Sequence, residues 1–367
     1  MKLQYIKKTI CIGLFGMLLL GVAGCVSAPD DDRIETVETI GGEDTVDYYG
    51  ETEDNYDLPP VPFSGTPAPH ELPTPMPAAT RPPMEGDAAT DRFPNYDTGW
   101  NADWSYQSDE LRIAVKRYEN EDDQIVFYVA DIWMRNINCF RMGFGNGAFD
   151  SGREDPESFA TRENAILGFS GTMNSGLVIH NGKQYKKVEN SDISFRSGIV
   201  VIYRDGSVKM INRAKKEKFD YNKENAQNGG VLHALQFGPI LVKDGEIASG
   251  LKKNERHPRI IFGYCEPGHY IAVAVDGRTK KSIGMTEQEM AELMLSLGCT
   301  DAINFDGGNS AVMLFMGKTI NVPSGKDRDG DGIAGRNIAD LLVFAEYDAD
   351  GNAPALSSIV PDKDYGD

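Results

Sequence analysis

Residues 302–313 read AINFDGGNSAVM. An apolar run ends at Asp306, then Gly307, Gly308, Asn309 and Ser310 follow, and a second apolar run begins at once. Glycines beside a carboxylate permit backbone conformations closed to other residues and leave room for a ligand to approach the main chain. Such a corner offers Asp306 for acid–base or electrostatic work; the plain alternative is a turn that the aspartate caps for itself. Upstream, AVDGR places Asp276 at the end of a strongly apolar stretch with Arg278 two residues on. Arg259, in HPRIIFGY, and Arg336, in GRNIAD, add two cations. A guanidinium fork matches the oxygens of a phosphate. The bland readings are a turn cap for Asp276, a solvated Arg278 and a strand-edge charge at Arg259. His269, before YIAVAV, is a further candidate, although a lone histidine is often structural.

These residues need elements to hold them. ELRIAVKRYE and QIVFYVADIWM have the composition of strands. GIVVIYRDGSVKMIN, LVIHNGKQYKK and PILVKDGEI are hairpins turning at Asp205-Gly206, Asn181-Gly182 and Asp244-Gly245. RIIFGYCEPGHYIAVAVDGR predicts two strands around Pro267-Gly268, and INFDGG, AVMLFMGKTINV and IADLLVFAEYD predict more. The clearest helix is TEQEMAELMLSLGC, with a capping box from Thr286 to Glu289 and an apolar face of Met290, Leu293, Met294 and Leu297. PESFATRENA is a second candidate. Dominant strands with a few helices laid on them define an α+β domain with a strand-rich mixed sheet.

The chain has 367 residues and a net charge of −19, which disfavours nucleic acid as a partner. It opens with Lys2, Lys7 and Lys8, an apolar run over residues 9–23, and Gly24-Cys25. This is an export signal ending in a lipobox-like VAGC, in which Cys25 becomes an acylated N-terminus; an uncleaved anchor is the alternative. The expected protein is therefore extracytoplasmic and lipid-anchored to the cell membrane. Residues 26–98 are acidic and then Pro-rich, a disordered tether unable to build a core. The expected organisation is a signal peptide over 1–25, the tether over 26–98, a folded domain over 99–348 and a tail over 349–367. Cys139, Cys265 and Cys299 form neither a disulfide framework nor a metal pattern and are expected to be buried free thiols.

GKDRDGDGIAG carries Asp327, Asp329 and Asp331 followed by Gly332, the first half of an EF-hand-like loop. Its twelfth position is Ile338 rather than an acid, and Asp340 follows two residues later. The readings are a weak structural calcium site or a solvated acidic insertion.

From about residue 127 to 346 the chain resembles the phosphodiester glycosidase family. The resemblance runs in order through YVADIW, ATRENAILGFSG, GLVIHNGKQY, VVIYRDGSV, FGPILVKDGEI, HPRIIFGY, the long block from HYIAVAVDGRTKKSIGM to NFDGGNSAVMLFMGKTINVPSG, and GRNIADLLVF. That family includes the lysosomal uncovering enzyme and bacterial envelope proteins of an exopolysaccharide-related branch. It implies hydrolysis between a sugar anomeric carbon and a phosphate oxygen, through an oxocarbenium-like transition state. It further implies Asp306 and Asp276 as the carboxylates. Arg259, Arg278, Arg336, His269, Ser170, Thr172 and the segment from Gly307 to Ser310 would bind substrate.

The sequence also departs from the family pattern. Ser170 and Thr172 stand where the family has Asn and Asp, Ile260 where it has Thr, and Asn309, Ser310, Ala311 and Val312 where it has Gly-Ser-Ser-Thr. Two functional expectations follow. One is a surface hydrolase of glycosyl phosphodiesters in an envelope or extracellular polysaccharide. The other is a non-catalytic member that binds an envelope glycan or a partner protein.

Overall fold

The structure, a computed structural model, describes residues 102–189, 196–325, 336–346 and 354–361. Three sheets carry the fold. The largest has eight strands, in the order Trp104–Gln107, Leu111–Asn120, Ile125–Met134, His269–Val275, Arg259–Glu266, Asp301–Asn304, Ile240–Lys243 and Glu246–Ile247. A second, of five strands, contains the two expected hairpins Val178–His180 with Lys183–Lys186 and Gly198–Tyr203 with Val208–Asn212, joined by Val231–Phe237. The third runs Lys318–Thr319, Met313–Phe315, Leu167–Ser170, Asp340–Phe344, Phe140–Phe144. The strand-rich α+β expectation holds, but the described strands of the three sheets pair antiparallel, so the expected mixed sheet is not formed among them. Leu167–Ser170, Phe140–Phe144 and Val231–Phe237 add strands to those anticipated from the sequence.

The large sheet is buried on both faces, and its alternation shows how. Val126, Tyr128, Ala130 and Ile132 face a core shared with Phe169, Met313 and Phe344 of the third sheet and Val200, Leu235 and Phe237 of the second. Phe127, Val129, Ile261, Ile271 and Val273 face the opposite way, under Met290, Leu293, Met294 and Leu297. These last residues belong to or follow the helix Glu287–Ser296, whose capping box from Thr286 to Glu289 is formed. A period of two therefore buries every residue of Ile125–Met134, which explains its unbroken apolar character.

Register decides what meets at the end of this sheet. Arg259 pairs with Val275, and Ile261 pairs with Asn304. Arg259, Asp276 and Asp306 consequently leave three adjacent strands at one edge. His269 opens the strand His269–Val275 and pairs with Trp133, so it lies at the other end, roughly 20 Å away at ~3.4 Å per residue. Beneath the site end, Phe262 stacks on Phe305 with centroids 6.1 Å apart and touches Phe140 and Tyr270, each at 5.7 Å.

The export signal with Cys25, the tether and the acidic loop of Asp327, Asp329 and Asp331 lie outside the described residues. Phe262 is fully buried among aromatic rings. Phe262→Ala should lower stability by about 3–5 kcal/mol, read as a shift of the urea midpoint. Leu295→Ala, on a side chain 38% exposed on the helix surface, should change it by under ~0.5 kcal/mol.

Candidate active site

Asp306 stands one residue beyond the strand Asp301–Asn304, after Phe305, and is 3% exposed. Its backbone bridges two sheets: Asp306 N donates to Gly171 O at 2.8 Å, and Ser170 Oγ donates to Asp306 O at 3.3 Å. The Gly-Gly pair earns its place by space and conformation. A Cβ on Gly307 would lie 2.6 Å from Pro258 O, and Gly308, at φ +57°, donates its N–H to that same carbonyl at 2.9 Å. The corner is thereby clamped against the start of the strand Arg259–Glu266.

The carboxylate itself is only partly matched. Arg336 Nη2 lies 3.9 Å from Asp306 Oδ2, and Arg336 Nε donates to Ser310 Oγ at 2.7 Å. Asp306 Oδ1 is buried with no hydrogen-bond partner. Burial raises the acid to about 7, Arg336 and a hydrogen bond from Ser310 pull the other way, and the nearby Asp340 carboxylate raises it further.

Three arginines adjoin this corner. Arg259, 2% exposed, has Nε and Nη2 without hydrogen-bond partners. Arg278 Nη1 donates to Asn309 Oδ1 at 3.2 Å, and Ser324 Oγ donates to the same oxygen at 2.9 Å. Burial, followed by the charges of Arg259 and Arg336, lowers Arg278 from its ordinary value. Arg278 also holds φ +57°, a left-handed conformation uncommon for a residue with a side chain. His257 sits between Arg278 and Arg259; burial and then those two cations push it down to about 3, so it is neutral. Cations gathered in this way, with two donors unused, form a receptor for an anion.

The remaining expected residues have other tasks. Asp276 Oδ1 accepts from Val322 N at 2.8 Å and Asn321 Nδ2 at 3.3 Å, which fastens the 321–322 turn to the sheet end. Burial raises Asp276 to about 6, and these donors, with Arg117 and Tyr128, offset part of that. Thr172 is fully buried; its N and Oγ1 donate to Asp340 Oδ2 at 2.7 and 2.9 Å, while Met173 N reaches Oδ1 at 2.8 Å. Asp340 therefore anchors the 172–173 turn. Ile260, Ala311 and Val312 all belong to the apolar core, where a hydroxyl would need a buried partner. His269 stands apart from the arginines, stacked on Trp133 and bonded to Asp131.

Neither His257 nor Arg153, which also acts on Asp306, is among the sequence candidates, and Asp340 is read there only as an acid following the 327–331 loop. Asp340 had a signal, a carboxylate opening the apolar strand ADLLVF. His257 had one in its place two residues before Arg259. Arg153 had none.

The raised acid at Asp306 has a consequence for stability. Its ordinary value is 3.8 and its folded value about 7. The fold favours the protonated form, so this contribution is complete below the ordinary value and is lost as pH rises through about 7. Asp306→Asn, a neutral isostere, should stabilise the protein at pH 8 by roughly 1–3 kcal/mol and by much less near pH 4. Thermal melts at the two pH values check this; a lower melting temperature at pH 8 would mean that the ionised carboxylate is fully compensated.

The comparisons with known proteins bear on family and fold. The model of the phosphodiester glycosidase family matches residues 157–345, just over half of the chain. The SPbeta prophage-derived uncharacterized protein YomE of Bacillus subtilis is 30% identical over 209 residues, covering 54% of this chain and 30% of that protein. The N-acetylglucosamine-1-phosphodiester alpha-N-acetylglucosaminidase of Bos taurus is 24% identical over 216 residues, 58% of this chain and 36% of that protein. The chain thus spans about a third of the length of the curated relatives it matches. Among solved structures, the zebrafish N-acetylglucosamine-1-phosphodiester alpha-N-acetylglucosaminidase catalytic domain, auto-inhibited by its pro-peptide, shares the fold. It superposes with a TM-score of 0.52 at 19% identity, covering 67% of this chain and 86% of that one. The chain belongs to the phosphodiester glycosidase family.

Proposed function

We propose that this domain hydrolyses a glycosyl phosphodiester, with the phosphate held by Arg259, Arg278 and Arg336 and the anomeric carbon presented to Asp306. One observation carries the reading: a buried carboxylate with an unused oxygen and a buried guanidinium with two unused nitrogens stand on adjacent strands. A glycosyl phosphate has the complementary pattern, an anion next to a carbon that becomes cationic as the bond breaks.

The chemistry follows from that placement. Water attacks the anomeric carbon, the bond from that carbon to the phosphate oxygen breaks, and the phosphate monoester leaves with the electron pair. A phosphate monoester needs little protonation to depart, so a single working carboxylate suffices. Asp306 in its ionised form stabilises the developing positive charge or takes the proton of the attacking water. Asp340 and Asp276 position turns around it rather than touching substrate.

A second reading has an observation in its favour. Among the described residues, Asp340 is the carboxylate that acts on Asp306, and both its oxygens accept hydrogen bonds from the 172–173 turn. A site with one working acid also suits a protein that binds a glycan phosphate or a partner without turnover. The setting we propose is a lipoprotein anchored through Cys25, held off the membrane by the tether and acting on a phosphate-bearing envelope or extracellular polysaccharide. A calcium ion on Asp327, Asp329 and Asp331 belongs to the same proposal.

Purified protein should release sugar from a panel of sugar-1-phosphodiesters that includes an N-acetylglucosamine one. Asp306→Asn should lower kcat/KM by on the order of 10³ or more. Arg259→Ala should act chiefly by raising KM. Because Asp306 must be ionised, kcat/KM should climb as pH rises through about 7. Saturable glycan-phosphate binding without any release, weakened by Arg259→Ala, would establish the binding reading instead.

A further inference from the structure

At the far end of the large sheet a second cluster of reactive side chains has no part in the chemistry above. The hairpin joining Arg259–Glu266 to His269–Val275 loses its regular register between Tyr264 and Glu266, which leaves Cys265 as the bulged residue. Bulges redirect side chains. Cys265 is partly exposed, contrary to the sequence expectation of a buried thiol. Its sulfur lies 3.7 Å from that of Cys299. Cys299 is buried, fixed between the end of the helix Glu287–Ser296 and the strand Asp301–Asn304. Its N–H donates to Met294 O at 3.1 Å, and its side chain covers Gly263, where a Cβ would come within 2.6 Å of the sulfur.

Two further residues complete the cluster. His269 Nε2 lies 2.6 Å from Asp131 Oδ1, and Trp133 Nε1 donates to Asp131 Oδ2 at 3.2 Å. Trp133 also stacks on the imidazole at 3.7 Å and 12°, a geometry that favours a cationic ring. His269 Nδ1 is buried without a hydrogen-bond partner. Burial opposes the charge on His269, but Asp131 and Cys265 together outweigh it and carry the ring to about 10. The hydrogen-bonding contact with Cys299, and then the His269 charge, hold Cys265 below the ordinary thiol range, whereas burial and the contact with Cys265 hold Cys299 well above it.

We propose that Cys265 and Cys299 are a redox-active dithiol that exchanges with small disulfides, Cys265 attacking and Cys299 resolving, with His269 and Asp131 positioning and activating Cys265. A partly exposed cysteine beside a cation, backed by a second sulfur at 3.7 Å, is the arrangement that thiol–disulfide exchange requires. Cys265 sulfur attacks one sulfur of the small disulfide, forming a mixed disulfide and releasing the other half as a thiolate. Cys299 then gives its proton to the released thiolate and attacks Cys265, expelling the second half. The two protein thiols lose two electrons and two protons, and the small disulfide gains them as two thiols. Closure brings the sulfurs from contact to about 2.05 Å and ties the strand Arg259–Glu266 to the lead-in of Asp301–Asn304.

The test treats the full chain with oxidised glutathione and maps the products by mass spectrometry. Wild type should yield a Cys265–Cys299 cross-link, Cys299→Ser should stop at a glutathione adduct on Cys265, and Cys265→Ser should yield neither. Iodoacetamide should modify Cys265 at pH 7 on the order of tenfold faster than an unperturbed thiol, and His269→Gln should remove that advantage. A wild-type protein whose Cys265 reacts no faster than free cysteine, or that forms no Cys265–Cys299 cross-link, would overturn the proposal. Unchanged Cys265 reactivity in His269→Gln would also overturn it, by removing His269 from the mechanism.

Discussion

A carboxylate taken out of water must be matched by positive charge and hydrogen bonds, or it gives up its own charge. Asp306 sits between these outcomes. Arg336 stands at 3.9 Å, further than a close ion pair, and one carboxylate oxygen has no partner. The contrast with Asp340 is instructive. That residue is buried as deeply, and burial raises it too, but three donors from the 172–173 turn occupy both of its oxygens. One aspartate is consumed by structure while its neighbour is left unfinished, and the unfinished one faces the arginine cluster. The geometry of the site follows from that inequality.

The arginines carry the reciprocal cost. Burial, and then the charges of Arg259 and Arg336, lowers Arg278; burial, and then Arg259 and Arg278, keeps His257 neutral. Arg278 is held besides at a positive φ. Clustered buried cations cost stability, which is the usual relation between stability and a preorganised anion site of the kind proposed. The sheet makes it tolerable. Phe262 and Phe305 stack beneath the strands that carry the site, and the fit of Gly307 against Pro258 fixes the corner from the side.

Much of this was legible in the sequence because it is local. The Asp-Gly turns, the capping box at Thr286 and the apolar alternation of the long strands need only neighbours a few residues away, and all are present. The placement of Asp306 at a glycine corner was legible for the same reason. What the sequence hid depends on register between distant strands. Asp276 and Asp306 look alike as strand-end aspartates, yet Asn321 and Val322, far along the chain, occupy the first. His269 looks like a site residue until pairing with Trp133 places it at the opposite end of its strand. Ile260, Ala311 and Val312, which depart from the family pattern in the sequence, are core residues. Cys265 and Cys299 were separate thiols in the sequence and are neighbours only because the strands that they adjoin pair.

The central claim is that the unfinished carboxylate and the arginine cluster form one receptor for a sugar phosphate. A crystal structure of Asp306→Asn soaked with a glycosyl phosphodiester tests it most directly. The account predicts phosphate oxygens within hydrogen-bond distance of Arg259 Nε or Nη2, with the anomeric carbon against the side chain at position 306. A phosphodiester bound elsewhere on the domain, with Arg259 still unpartnered, would contradict it.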